Sequence, residues 1–129
     1  MKTSKIVSIV FFVFFAMAAC DDEDNSANAL GVGAQCTEDS ECDQELGQSC
    51  LLDFKGGYCG IADCVADDEC PDGSRCVTHD DGSNYCFLTC IDKIDCNTNR
   101  DAESESNCSS SITYVDEPQD GKACVPPSN

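Results

Sequence analysis

Thirteen cysteines hold the most reactive side chains of this sequence, and their positions divide them into one and twelve. A cysteine sulfur can attack, bind metal or form a disulfide, and the compartment decides between these. Cys20 stands alone, after an apolar N-terminal stretch and before the acidic run Asp21-Asp22-Glu23-Asp24. The other twelve form three consecutive sets of four: Cys36, Cys42, Cys50 and Cys59; Cys64, Cys70, Cys76 and Cys86; Cys90, Cys96, Cys108 and Cys124. An odd count in an exported chain leaves one thiol to explain. Here the odd one sits apart, and the even remainder can pair into six disulfides.

Other chemistry has less to work with. The one histidine, His79, lies in an acidic loop and has no recognisable nucleophile or orienting partner, so no catalytic set is expected. It reads as an exposed loop residue. A zinc site would prefer gaps of two to four residues between paired cysteines, whereas five-residue gaps recur here. Calcium finds hard oxygen donors in Asp39, Glu41, Asp67, Asp68, Glu69 and the Asp80-Asp81-Gly82-Ser83-Asn84 loop, though none fits EF-hand spacing. A solvated acidic face explains the same residues. No cofactor, metal or catalytic residue is assigned.

Lys2 and Lys5 form a basic start, and residues 6–19 are an uncharged stretch with four phenylalanines. That is short of the roughly 20 residues a bilayer span needs and matches the apolar region of an export signal. Met17-Ala18-Ala19-Cys20 resembles a bacterial lipobox, in which cleavage exposes a cysteine whose sulfur carries diacylglycerol. The resemblance implies lipid on Cys20, a membrane anchor and a cell-envelope location, at the outer membrane or cell surface. Asp21 directly after the lipid site would favour inner-membrane retention in some bacteria.

Cleavage before Cys20 leaves 110 of the 129 residues. The seven bases lose Lys2 and Lys5, so five stand against 25 acids, a net charge of −20. Such a surface repels phosphate backbones and speaks against nucleic-acid binding. Only 16 of the 110 are Leu, Ile, Val or Phe, too few to offset chain entropy without cross-links. Disulfides are the usual remedy in small exported domains.

The three sets form a repeat. Each opens with five residues between its first two cysteines, and an acid precedes the second cysteine every time: Glu41, Glu69, Asp95. Asp39 and Asp67 share a place inside that gap, where the third set has Lys93. Gly57-Tyr58-Cys59 echoes Asn84-Tyr85-Cys86. Pro71-Asp72-Gly73 reads as a tight turn, and residues 79–84 as a hairpin tip flanked by Val77 and Tyr85. No window shows a helical period, although residues 40–46 allow one turn. Four cysteines per unit allow three pairings. First with third and second with fourth is favoured, because it crosses two loops and fixes the turn onto the ribbon, although the short spacers between sets would also permit a bridge between units.

The spacing is similar to that of the N-terminal cysteine-rich domain of Dickkopf proteins and of related repeats in exported myxobacterial proteins. The start of the second set also resembles the whey-acidic-protein module, without that module's adjacent cysteine pair. The resemblance implies a disulfide module and a binding role.

The expected organisation is a signal peptide over 1–19, a lipidated acidic tether over 20–35, units at 36–59, 60–86 and 87–124, and a tail at 125–129. Within the third unit, residues 97–111 read as an exposed loop. The expected fold class is small and disulfide-rich, with tandem turn-plus-β-ribbon modules and little regular secondary structure. The expected function is a lipid-anchored surface for a protein or glycan ligand. One alternative is a secreted protease inhibitor presenting Arg75 on a rigid loop over 70–76; another is a calcium-binding surface protein.

Overall fold

The computed structural model describes residues 31–117 and 120–129; the expected signal peptide, Cys20 and the tether as far as residue 30 lie outside these. The chain is a small disulfide-rich fold. Among the described residues regular structure is sparse: strands β1 (Ser49–Cys50), β2 (Cys59–Gly60), β3 (Ser74–Thr78) and β4 (Asn84–Cys90), helix α1 (Lys93–Asn97), then β5 (Asn107–Ser109), β6 (Thr113–Tyr114) and β7 (Lys122–Val125), with four 3₁₀ turns. Strands β1 and β2 make a two-stranded ribbon, and the other five form one antiparallel sheet in the order β5-β7-β4-β3-β6.

Six bridges join Cys36–Cys50, Cys42–Cys59, Cys64–Cys76, Cys70–Cys86, Cys90–Cys108 and Cys96–Cys124. Within every set the first cysteine bonds the third and the second bonds the fourth, the pairing favoured from spacing. In each set the third and fourth cysteines sit directly opposite one another across two strands: Cys50 and Cys59, Cys76 and Cys86, Cys108 and Cys124. They do not bond each other. Each reaches back to the preceding turn, so the turn is stapled to both strands. A bridge closing a loop of this size removes about 3 kcal/mol of unfolded-state freedom.

The recurring acids explain why the turns hold. Glu41 accepts the backbone N–H of Thr37 and of Glu38, Glu69 accepts that of Val65, and Asp95 accepts those of Ile91 and Asp92. In each unit the carboxylate before the second cysteine thus ties down the N–H just after the first. Asp39 and Asp67 accept the N–H of Cys50 and Cys76, both at 2.8 Å, and so anchor each first ribbon strand to its turn. These bonds hold Glu41 and Asp95 below the ordinary carboxylate range.

Strands β3 and β4 form the expected hairpin, with Val77 opposite Tyr85 and the tip closed by His79 and Gly82. Pro71-Asp72-Gly73 is a tight turn, with Ser74 N–H donating to the Pro71 carbonyl and Gly73 at φ +80°. The small core gathers Phe54, Tyr58, Val77, Tyr85 and Phe87 with Val32 and Ala123, from all three units and the segment before them.

Three expectations about the connecting segments fail. Residues 31–35 are not tether: Val32 and Ala34 are buried, and Gly33 and Ala34 exchange backbone bonds with Cys59. The 125–129 tail is not free. Pro126 is fully buried, and Lys55 and Asn129 N–H donate to the Pro127 and Asp53 carbonyls, so the C-terminus closes onto the first unit. Residues 97–111 do not all face solvent either, since Arg100, Ser104 and Ser106 are buried.

Arg100 explains that last failure. Its guanidinium donates from Nε to the Ser104 carbonyl, from Nη1 to those of Gly33 and Gly57, and from Nη2 to that of Lys55, at 2.7–3.2 Å. It lies 5.6 Å from the centre of the Tyr58 ring. No carboxylate faces it in these bonds; four carbonyl dipoles and a ring face replace water, and burial lowers its pKa.

Candidate functional site

The cysteine sets hold no free thiolate among the described residues, as all twelve are bridged. The two bridges of a unit lie close together, with Sγ atoms of Cys36, Cys42 and Cys50 within 4.8 Å, but a disulfide sulfur is not a thiolate ligand. Among the described residues no three carboxylates or histidines converge in the same way. Of the calcium candidates, Asp39, Glu41, Asp67 and Glu69 face backbone N–H groups. Asp81 accepts from Ser83 N–H and the Tyr85 hydroxyl, and the former bond is the main cause of its lowered pKa.

Arg75 does not sit on a presented loop. It lies in β3, in register with Phe87 of β4, and its Nη1 is 2.9 Å from Asp67. Strand β3 pairs with β4 along its length and with β6 at Val77 and Thr78, beyond Arg75. His79 is half-buried rather than exposed. Its ring packs edge-on against Phe54, Tyr85 and Phe87 at 5.4–6.0 Å between centres.

A different feature is concave and chemically mixed. Strands β5 and β6 are opposite edges of the sheet, yet only residues 110–112 connect them. Five flat strands would hold the edges about 19 Å apart. The four steps from Ser109 to Thr113 reach about 14 Å at most. The sheet therefore curls, and the connection crosses its mouth. Inside the curl is a cavity of about 270 Å³. Its apolar side is Ile112 and Val125, half-buried, with the buried Val77 and Phe87 beneath them. Its rim carries His79, Asp80, Asn107, Ser111 and Thr113, whose side chains engage no hydrogen bond among the described residues. An apolar side with a few convergent polar groups is the usual make-up of a ligand pocket.

Of this rim, the sequence pointed to His79 and Asp80 as possible chemistry and gave no such role to Asn107, Ser111 or Thr113. Asn107 and Ser111 lie in a Ser/Asn-rich stretch that reads as loop, Thr113 lies just beyond it, and only strand pairing brings them over the hairpin. No protein family model, curated protein or solved structure matches the chain.

Proposed function

We propose that this chain is a lipid-anchored, disulfide-stabilised cell-envelope protein with a binding or structural role and no catalysis, built from three copies of one turn-and-ribbon unit. The observation that carries the reading is the pairing of all twelve described cysteines, which leaves the thirteenth, Cys20, for a thioether to lipid. Bridges of this number belong to oxidising compartments. The three-copy element draws support from equal geometry: Cα–Cα separations are 5.8, 5.9 and 5.9 Å for the first–third bridges and 5.4 Å for each second–fourth bridge. A non-catalytic role draws support from His79, which is seated among aromatic rings, and from the absence of a free thiol among the described residues. Lipid would place the protein at the outer membrane or cell surface, or at the inner membrane if Asp21 retains it.

Intact mass of the membrane-extracted protein, before and after reduction, tests this. Twelve added hydrogens report six bridges, and the excess over the polypeptide mass reports acyl chains. Cys20→Ser should move the protein from the detergent phase to the aqueous phase. A compact protein with most thiols free, or one lacking acyl mass, overturns the reading.

A further inference from the structure

We infer that the curled-sheet cavity receives a lysine side chain presented by a basic partner segment; this builds on the binding role proposed above. The half-buried Ile112 and Val125, which lie over the buried Val77 and Phe87, suit a four-carbon stem, the part of lysine that prefers apolar contact. An ammonium group brings three N–H donors and no acceptor. The rim offers the complementary set: the Asp80 carboxylate, the Ser111 and Thr113 hydroxyls and the Asn107 carboxamide oxygen.

Charge points the same way. No lysine or arginine lines the cavity. Arg75 is paired with Asp67, Lys93 with Glu105, and Arg100 is held on carbonyls. The chain as a whole carries −18, so its field draws cationic partners and repels anionic ones. A sugar fits less well. The one phenylalanine of the lining, Phe87, lies beneath the cavity, fully buried, and presents no open ring face for a pyranose to stack on.

The test is a titration of the oxidised full chain in neutral detergent with an end-capped tri-lysine peptide. The ring-proton resonances of His79, the only histidine, serve as the reporter. A saturable one-to-one shift is expected. Asp80→Asn should weaken binding roughly tenfold or more, because a charge-assisted bond is lost. Asp72→Asn, in the exposed turn away from the cavity, should change affinity less than twofold. The Nε-acetylated peptide should leave the resonances in place.

Equal losses from Asp80→Asn and Asp72→Asn would mean diffuse attraction to an acidic surface and would overturn the site. So would an equal response to the acetylated peptide, or a peptide that binds without moving His79. A shift produced by a neutral N-acetylglucosamine disaccharide instead of the peptide would assign the cavity to glycans and refute the lysine. The mass measurement on the same sample separates the levels. Six bridges and lipid with a silent His79 sink only this inference; missing bridges or lipid sink the broader reading.

Discussion

The first and second cysteine sets share the bonds of their turns and contrast at a packed position. Asp39 and Asp67 make the same bond to the third cysteine's N–H, and Glu41 and Glu69 make the same bond behind the first cysteine. Two residues before the fourth cysteine, the units part. In the second unit Asn84 donates from its carboxamide to the Cys64 carbonyl at 3.0 Å and accepts from the Thr78 hydroxyl. In the first, Gly57 stands at φ +67°, and a Cβ there would lie 2.1 Å from the Cys36 carbonyl oxygen. It would also lie 2.8 and 2.9 Å from the Cys50 and Cys36 sulfurs. The same spot beside the first cysteine is thus filled by a side chain in one unit and by backbone in the other. The framework tolerates either, because the acids and bridges define it.

The largest expected effect breaks that contrast directly. Gly57→Ala should cost more than about 4 kcal/mol, since the obstacle includes backbone and bridge atoms and the φ is unfavourable for alanine. Oxidative refolding followed by intact mass should show loss of the six-bridge product. Asn84→Ala removes two hydrogen bonds and should cost about 1–2 kcal/mol, with all six bridges retained. Comparable costs at the two positions would show that the units are not distinguished there.

Arg100 ranks next and asks whether the units behave as one body. Arg100→Ala strands four carbonyls of separate segments and should cost about 3–5 kcal/mol. Arg100→Lys should recover only part of this, because an ammonium lacks the planar fork that reaches several acceptors. Guanidinium denaturation with fluorescence of Tyr58 and Tyr85 provides the measurement. An Arg100→Ala midpoint equal to that of the parent would mean that the 97–111 segment does not hold the first unit.

The paired aspartates sharpen the comparison at a smaller scale. Asp39→Ala leaves the Cys50 N–H without its acceptor and should cost about 1–2 kcal/mol. Asp67→Ala removes the equivalent bond and the Arg75 ion pair, which is half-exposed and adds only a few tenths to about 1 kcal/mol. The two losses should therefore lie within about 1 kcal/mol of each other, by guanidinium midpoints at constant slope.

The parts legible in the sequence are those fixed within a few residues. The Pro71-Asp72-Gly73 turn and the Val77–Tyr85 hairpin follow from local turn chemistry, whereas spacing leaves three cysteine pairings per set open and only favours the one observed. The recurrence of Asp39 and Asp67 was also visible, but its role was not. Without coordinates, an acid that accepts an N–H looks the same as an acid in water. Long-range docking left still less trace. Arg100 sits in a stretch of Asn, Ser, Glu and Asp with every mark of a solvated loop, and its acceptors are carbonyls, which no sequence pattern distinguishes. Burial of 31–35 and of Pro126 was hidden for a related reason. Where bridges replace a large core, small residues can be buried without hydrophobic periodicity. The cavity was illegible because it depends on the sheet closing between strands that are distant in sequence.

Acid titration gives the smallest effect and separates the turn carboxylates from the global charge. Glu41 is held below its ordinary range by the Thr37 and Glu38 N–H bonds, and Asp95 by those of Asp92 and Ile91. A carboxylate depressed in the folded state stabilises above its unfolded pKa, about 4, and that contribution fades as pH falls through the lower folded value. Net charge works in the opposite direction. Moving from pH 7 towards the sequence pI of about 4.1 relieves self-repulsion of a chain at −18. The urea midpoint at low salt should therefore hold or rise between pH 7 and pH 5, then fall below about pH 4. Glu41→Gln should flatten the acid limb and leave the rise from pH 7 to pH 5 intact. A midpoint already falling between pH 7 and pH 5 would contradict both parts, because neither group protonates in that window and relief of repulsion can only stabilise. Identical acid limbs for the parent and Glu41→Gln would place the acid sensitivity elsewhere than in the first turn.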